Sequence, residues 1–248
     1  MPVSRISIEL VPRSSESLEG DLGVLREEFK SIQLVNIPDI LRYELRSWEA
    51  CRQAREAVPC AIPHLRAMDF DLNNLVLLKE VLGAGDLGEV LVVQGDPPQD
   101  LVHRVYPTKS VDLIRAIKSL SPQVKVYAAI DPYRNSFRKE MAYVEAKIDA
   151  GADGFFTQPF FDLGLMGVWA DLLRRVDVFW GISPVISKRT KRYWETKNKA
   201  VFPSTFEPTL DWNRRFAKEA LSWAQSRSTN IYFMPIRLDL MSYLGGIL

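Results

Sequence analysis

Eight short β-rich runs, seven of them followed by a helix-length connection, predict an α/β fold of the (β/α)8 TIM-barrel class. Most of the runs are continuously apolar, as parallel strands buried on both faces are. A doubly wound open sheet is the alternative, but it usually carries Gly-x-Gly-x-x-Gly after its first strand. Here the first run is followed by VPRSSES, which contains no glycine. The pattern therefore favours the barrel.

The predicted strands are spread over the whole chain. They comprise residues 5–11, 32–38, 60–65, 89–96, 125–131, 154–160, 177–185 and 230–236. No repeat of fixed period, low-complexity segment or linker divides the sequence. We therefore expect a single barrel domain over residues 1–248.

The connections carry helix signals. The first has an apolar stripe at helical spacing, with Ser17 as the expected cap; its members are Leu18, Leu22, Leu25 and Phe29. Ser110 and Ser136 are expected to cap two later helices, and Gly151 to end the second of them.

Composition excludes several classes of protein. With 248 residues, 47% of them apolar and 25% charged, the chain can bury a sizeable core. A net charge of +1 gives no field that would attract nucleic acid. The sequence contains no run of about 18 apolar residues that could span a membrane, and its first residues do not resemble a signal peptide. We expect a cytoplasmic protein.

Cysteine and histidine are too few for a metal centre. Cys51 and Cys60 do not form a Cys-x-x-Cys pair, and His64 and His103 are the only histidines. The sequence therefore predicts neither a disulfide framework nor a metal site.

Polar residues stand at or near the ends of the apolar runs. In a barrel these ends converge on one mouth, where active sites are built. The residues are Glu9, Asn36, His64, Asp96, Asp131, Gln158 and Ser183. For Asn36, Asp131 and Ser183 the simpler interpretation is that each marks the start of a loop, and a lone His64 can be a half-buried structural histidine.

Glu9 and Asp96 are harder to explain as structure alone. Glu9 lies between Ile8 and Leu10, where a carboxylate is costly unless it is paired or functional. Gly95 and the double proline after Asp96 fix the backbone around that carboxylate. Gln158 interrupts the aromatic stretch GFFTQPFF at the point where the sixth strand must end.

The chain resembles the methylenetetrahydrofolate reductase family in motifs that occur in the family's order. They are SIELVPRSS at the first strand, PHLRAMD at the third, LVVQGDPP at the fourth, AKIDAGADGFFTQPFFD at the sixth, GISPV at the seventh and IYFMPIRLDLMSYLGGIL at the end. The resemblance implies a flavin-dependent barrel in which FAD, reduced by NADH or NADPH, reduces 5,10-methylenetetrahydrofolate to 5-methyltetrahydrofolate in one-carbon metabolism.

The resemblance also implies roles for individual residues. Glu9 matches the catalytic acid, and Asp96 the carboxylate beside flavin and pterin. Gln158 and Arg237 match substrate contacts. The implied cofactor contacts are His64, Gln94, Gly95, Asp96, Ile130, Arg134 and Lys147. A carboxylic acid whose pKa is raised by an apolar site can protonate the folate nitrogen, so Glu9 suits the chemistry.

The sequence departs from the family at the cofactor end. Gln94 stands where arginine is usual, the fifth strand ends in AAIDPYRNS instead of a Pro-Glu-x-His type of run, and Glu140 and Tyr143 replace aspartate and asparagine. The loop after GISPV lacks the expected aromatic residue. Acidic residues near a diphosphate repel it, so Arg134, Arg138 and Lys147 are expected to compensate.

The sequence contains two basic segments, and each of them has two possible roles. The cations after strand seven form either a solvated face or a cationic rim for phosphates or a polyglutamate tail; they are Lys188, Arg189, Lys191, Arg192, Lys197 and Lys199. Arg42 and Arg46 either reach the mouth or pair with Glu44 and Glu49 on a helix.

Three functions compete. The first is the flavin-dependent folate reductase, acting on a tetrahydrofolate derivative as a homo-oligomer or with a partner reductase subunit. The second is a folate-binding barrel with altered or lost flavin use, which acts with a partner subunit or in methyl transfer to a corrinoid protein. The third is a non-catalytic interaction subunit, against which the intact set of Glu9, Asp96 and Gln158 counts.

Overall fold

Eight parallel strands close into a barrel in the computed structural model, which describes residues 5–83, 87–98 and 103–248. Each strand pairs with its neighbours in chain order, and β1 closes the sheet against β8. The strands are β1 (Ile6–Glu9), β2 (Leu34–Ile37), β3 (Cys60–Arg66), β4 (Glu89–Val93), β5 (Lys125–Ile130), β6 (Gly154–Phe160), β7 (Asp177–Ile182) and β8 (Asn230–Phe233). The predicted fold class is confirmed.

Helices follow the strands and cover the barrel from outside. They are α1 (Ser15–Glu28), α2 (Ser47–Ala54), α3 (Val76–Gly83), α4 (Ser110–Leu120), α5 (Phe137–Asp149), α6 (Leu163–Leu172), α7 (Lys188–Lys197), α8 (Leu210–Ser226) and α9 (Leu240–Leu244). A single 3-10 turn, Ala67–Asp69, follows β3 in the described chain. Within the described residues no helix has the length and apolarity needed to cross a bilayer.

All eight predicted strands are present; six are shorter than predicted, β6 has the predicted bounds, and β3 extends one residue further, to Arg66. The first, seventh and eighth runs were expected to reach residues 11, 185 and 236, whereas the strands end at Glu9, Ile182 and Phe233. Pro184 and Pro235 follow two of these ends, and proline has no N–H to donate to a neighbouring strand. The polar residues after the strands are therefore free to form the mouth.

Two of the expected helix caps are wrong. Ser14, not Ser17, caps α1, and Ser17 completes the capping box from the third helical position. Ser110 is the first residue of α4 and the cap position is Lys109. Ser136 caps α5 as predicted, and Gly151, with φ +107°, follows its end.

Apolar residues fill two layers. The stripe predicted on α1 is buried between helix and sheet, since Leu18, Leu22, Leu25 and Phe29 are at most 3% exposed. A separate cluster takes residues from seven strands and fills the barrel interior; its members include Leu34, Ile62, Leu91, Tyr127, Phe156, Phe179 and Tyr232. The interior is therefore packed, and a ligand bound by the barrel itself would lie at one of its ends.

Arg5 closes the end of the barrel at which the strands begin. Its guanidinium donates to Glu89 at 2.9 Å, to the Tyr127 hydroxyl at 3.0 Å and to the Cys60 sulfur at 3.5 Å. These contacts compensate a half-buried charge and occupy the N-terminal mouth. A ligand site is therefore expected at the opposite, C-terminal mouth.

Candidate active site

A cavity of about 540 Å³ opens at the C-terminal ends of β2 to β6. This volume lies within the range of about 300–1,000 Å³ that is typical of ligand pockets. Eight of the ten residues to which the resemblance gives a role line it: His64, Gln94, Gly95, Asp96, Ile130, Arg134, Lys147 and Gln158. The barrel thus brings together side chains from four strands and the connections after them.

Glu9 and Arg237 are not on the lining of this cavity. Glu9 ends β1 beside the β2 and β3 residues of the mouth, and 12% of its side chain is exposed. Arg237 follows β8 in an exposed turn, with φ +60°. Its proposed contact with substrate therefore stays a prediction.

Asn36 connects the ends of the first three strands. Its amide nitrogen lies 3.1 Å from Oε2 of Glu9 and 3.0 Å from Nε2 of His64. Its amide oxygen accepts from the hydroxyl of Ser7 at 2.7 Å. Ser7 and Asn36 are fully buried, so the amide at the centre of this network is shielded from water.

Burial shifts the pKa values of both titratable groups in this network. Burial raises the pKa of Glu9 to about 7, and the hydrogen bond from Asn36 opposes part of that rise. Burial lowers the pKa of His64 to about 3, so its imidazole is neutral at physiological pH. The mouth therefore holds a carboxyl that can both keep and release a proton near neutrality, beside an uncharged histidine.

Gly95 lets the backbone after β4 pack against Arg66. Gly95 has φ +84°, and a Cβ there would lie 2.9 Å from Nε of Arg66. Arg66, which is 7% exposed, donates to the carbonyl oxygen of Asp96 at 2.6 Å. This leaves the exposed side chain of Asp96 at the rim of the cavity.

Two arginines, Arg46 and Arg66, balance the negative charges of Asp39 and Asp69 near the cavity. Arg46 donates to both oxygens of Asp39, at 3.0 and 2.5 Å, and lies 3.1 Å from Asp69. Arg66 lies 3.7 Å from the other oxygen of Asp69. The guanidinium of Arg46 bonds Asp39, which lines the cavity, and not Glu49, which accepts only from the backbone N–H of Arg46. Arg42, in contrast, reaches the cavity lining.

Gln94 is held by the start of α4. Its Oε1 accepts from the backbone N–H of Ser110 at 3.0 Å and from the Ser110 hydroxyl at 3.2 Å. Its Nε2 donates to the carbonyl of Thr108 at 3.1 Å. The side chain thus caps a helix whose own cap position, Lys109, makes no side-chain cap bond.

Two acidic side chains, Asp131 in the loop after β5 and Glu140 on α5, hold this loop through hydrogen bonds. Asp131 accepts from the backbone N–H groups of Tyr133 and Arg134 and pairs with the Arg134 guanidinium at 3.1 Å. Burial raises the pKa of Asp131, and these donors oppose the rise. Glu140, only 3% exposed, accepts from the N–H of Asp131 and from Asn135 at 2.9 Å. Both acids therefore have partners within the protein.

Lys147 is a buried cation on the cavity wall. Its Nζ donates to the carbonyl of Ala129 at 2.5 Å and lies 3.9 Å from the centre of the Tyr143 ring. Burial lowers the pKa of Lys147 to about 8, while the charges of Glu140 and Asp131 act in the opposite direction. The Tyr143 hydroxyl in turn lies 3.4 Å from Oγ of Ser110.

Gln158 lies where β6 is irregular. The pairing of β6 with β7 shifts register between Phe156 and Pro159. Thr157 secures the irregularity, because its hydroxyl accepts from the N–H of Gly181 at 2.9 Å and its carbonyl accepts from Tyr232. Gln158 itself is half-buried and lines the cavity. The shift explains why an amide interrupts an aromatic stretch.

Ser183 and the basic segment lie outside the cavity lining. Ser183 is buried and donates to the carbonyl of Met234 at 3.2 Å, which fits the simpler structural interpretation. Five of the six cations of the basic segment lie on α7, which packs through Trp194 onto Phe161, and Lys199 follows the helix. Most of its cations are exposed; both interpretations of their function stay open.

Sequence reasoning missed two charged residues of this site. Arg66 lies two positions after His64 on β3, and alternation along a strand places both side chains on one face. Asp39 directly follows Pro38 at the end of β2. Position at a strand end is the signal that would have found them.

Comparison with known proteins shows which family and which folds the chain resembles. Residues 45–214 match the family model for methylenetetrahydrofolate reductase. The chain is 25% identical over 144 residues to the 5,10-methylenetetrahydrofolate reductase of Escherichia coli K12, covering 56% of this chain and 49% of that protein. It is 26% identical over 102 residues to the enzyme of that name from Buchnera aphidicola, covering 41% and 35%.

The fold also has solved neighbours. A Clostridium thermocellum protein, described as binding two copies of 5-methyl-5,6,7,8-tetrahydrofolic acid, matches with a TM-score of 0.66 and 12% identity over 95% of this chain and 91% of that one. A 2,3-dimethylmalate lyase matches with a TM-score of 0.59 and 10% identity, over 95% and 75%.

These matches define the class and then the family. The fold is that of (β/α)8 proteins, and its candidate site lies at the C-terminal mouth of the barrel. The chain belongs to the methylenetetrahydrofolate reductase family, whose model covers more than half of it. The matched part spans half or less of each curated relative described above.

Proposed function

We propose that this chain is a flavin-dependent reductase that converts 5,10-methylenetetrahydrofolate to 5-methyltetrahydrofolate in one-carbon metabolism. The observation that carries the proposal is the Glu9 carboxyl, whose pKa burial raises to about 7. Protonation of a folate ring nitrogen needs an acid that still holds its proton near neutral pH. Membership of the family supports the choice of substrate.

The cavity fits a flavin nucleotide, with one part of the site altered. Its volume of about 540 Å³ suits a bound cofactor. Lys147 and Arg134 would hold the phosphates of FAD, because both line the cavity and the acids beside them already have donors. Gln94, in contrast, is occupied by the start of α4 and contributes no cation.

The reaction divides between cofactor and protein. FAD, reduced by NADH or NADPH, would supply the hydride. Glu9 would protonate the folate, and neutral His64 beside it adds no positive charge that would lower the pKa of Glu9. The exposed carboxylate of Asp96 would face the positive charge that develops on the substrate. Gln158, which can both donate and accept, would bind the amide-like edge of the pterin.

Gln94 also favours a second candidate function. Because its side chain caps α4, the cofactor end lacks a cation that the family usually has. The second candidate is therefore a folate-binding barrel with altered or lost flavin use, which works with a partner subunit or in methyl transfer to a corrinoid protein. We place either protein in the cytoplasm, as a homo-oligomer or with a partner reductase subunit.

Absorbance and binding measurements separate the two candidates. Under the first, the purified protein carries flavin bands or regains them on titration with FAD, and NADH or NADPH bleaches them. Under the second, 5-methyltetrahydrofolate binds, as measured by calorimetry, but FAD does not. A protein that binds neither molecule contradicts both proposals.

A further inference from the structure

One buried amide contacts two titratable groups at the mouth, Glu9 and His64. Nδ2 of Asn36 lies 3.1 Å from Oε2 of Glu9 and 3.0 Å from Nε2 of His64. The two acceptors are themselves 4.0 Å apart. Asn36 and Ser7 are fully buried, so bulk water does not compete for these hydrogen bonds.

The contacts of the Asn36 amide indicate which way it faces. The only proton that the Ser7 hydroxyl can give goes to Oδ1 of Asn36 at 2.7 Å. When Glu9 is ionised, the opposite orientation of the amide would place Oδ1 against the carboxylate, where two acceptors would repel each other. Nδ2 therefore faces Glu9 and His64, and its two N–H groups supply one hydrogen bond to each.

A neutral imidazole has one protonated and one bare nitrogen. Since Nε2 of His64 accepts the N–H of Asn36, Nε2 is bare and Nδ1 carries the proton. When Glu9 is protonated, Oε2 receives the other N–H of Asn36 as a carbonyl oxygen, and the acidic proton lies on Oε1.

We propose that Asn36 is a positioning residue that holds His64 in the Nδ1–H tautomer and confines the transferable proton of Glu9 to Oε1. Its importance for catalysis rests on the proposed function, because only a reaction that takes a proton from Glu9 makes the location of that proton matter. His64 then presents an N–H from Nδ1, and one donor amide sets the hydrogen bonding of both strand ends.

Nitrogen NMR of the histidine side chains tests the proposal without turnover. The chain has two histidines, His64 and His103, so a His103→Gln variant assigns the signals. At about pH 8, above the ordinary pKa of histidine, the imidazole is neutral. We expect the Nδ1–H tautomer for His64 in the wild-type protein. The Nε2–H tautomer in the wild-type protein would overturn the proposal.

Asn36→Asp is the most informative variant, because aspartate keeps the shape of the asparagine side chain and removes its N–H donors. Its carboxylate still accepts from Ser7 but can only accept from His64, so the proton must move to Nε2. Ser7→Ala is the matched control, since it leaves the two N–H donors in place and should keep Nδ1–H. A His64 that stays Nδ1–H in a folded Asn36→Asp protein contradicts the proposal. If that variant does not fold, the wild-type and Ser7→Ala tautomers decide alone.

A kinetic readout separates positioning from general stability. Asn36→Asp puts a second carboxylate beside Glu9, which raises the pH at which Glu9 loses its proton. The alkaline limb of the kcat/KM profile should move to higher pH, by about one unit or more. An unmoved limb contradicts the link to Glu9. Absence of any folate reduction in the wild-type protein would refute the proposed function and leave the tautomer result standing.

Discussion

Oε2 of Glu9 lies 4.0 Å from Nε2 of His64, and burial shifts the pKa values of the two groups in opposite directions. The pKa of Glu9 is raised from 4.5 to about 7, so between these pH values the folded state holds a proton that the unfolded state releases. Its contribution to stability therefore falls as the pH rises through this window. The pKa of His64 is lowered from 6.5 to about 3, so the contribution of His64 to stability falls as the pH decreases below 6.5.

The two pH dependences of the unfolding free energy have opposite slopes. They should largely cancel in the wild-type protein, and each should appear alone when the other residue is replaced. Each slope is about 1.4 kcal/mol per pH unit. Relative to wild type, Glu9→Gln should lose about 2–3 kcal/mol of unfolding free energy when the pH falls from about 7 to about 5. His64→Gln should gain stability relative to wild type over the same change. Urea denaturation of the three proteins at several pH values measures this, and parallel curves would contradict the assigned shifts.

Gln94→Arg should destabilise the protein although it restores the arginine usual in the family. Arginine has no acceptor, so the N–H and hydroxyl of Ser110 would lose Oε1 of Gln94. The expected loss is about 1–2 kcal/mol, as for other helix caps. Gln94→Glu, which keeps the acceptor, is the control in urea unfolding. Equal stability of Gln94→Arg and wild type would show that the cap contributes nothing.

Arg134→Ala should weaken FAD binding by about 3–10-fold, because a phosphate contact of a largely exposed arginine is screened by water. Arg134 lines the cavity with 67% of its side chain exposed. Arg138 was grouped with it on sequence grounds but does not line the cavity. Arg138→Ala is therefore the matched control. Fluorescence titration with FAD compares the two, and equal affinities would remove Arg134 from the phosphate site.

Lys147 should make FAD binding depend on pH. The pKa of Lys147 is lowered to about 8, so its positive charge, and with it the attraction to a diphosphate, is lost as the pH rises through that value. Lys147→Arg keeps the charge at higher pH and should bind FAD with less change between about pH 7 and pH 9. Titrations at both pH values check this. An identical pH dependence of the two proteins would mean that Lys147 does not meet the phosphates.

The barrel could be predicted from the sequence because its signals are local. Each buried strand is an apolar run, and Pro184 and Pro235 show where two of them must end. Strand ends converge in this fold, so eight predicted residues meet at one cavity. Local chemistry also explains the cap that was predicted correctly, Ser136.

The features that were missed depend on contacts between distant segments. The cap of α4 comes from Gln94, sixteen residues before Ser110, and no local pattern marks it. The bonds from Nδ2 of Asn36 to Glu9 and His64 depend on how β2 pairs with β1, which sets Glu9 opposite Asn36, and with β3. Asn36 therefore had the appearance of an ordinary strand end until the register was known.

The most direct test of the account is the reaction of reduced flavin with 5,10-methylenetetrahydrofolate in wild-type and Glu9→Gln proteins. Glutamine keeps the shape of Glu9 and removes the proton. In stopped-flow absorbance, Glu9→Gln should lose a factor of about 10²–10⁴ in flavin reoxidation by the folate, whereas flavin reduction by NADH or NADPH should be unchanged. Reoxidation at the wild-type rate in Glu9→Gln would contradict the role of Glu9 as the acid, and a wild-type protein with neither half-reaction would contradict the reductase itself.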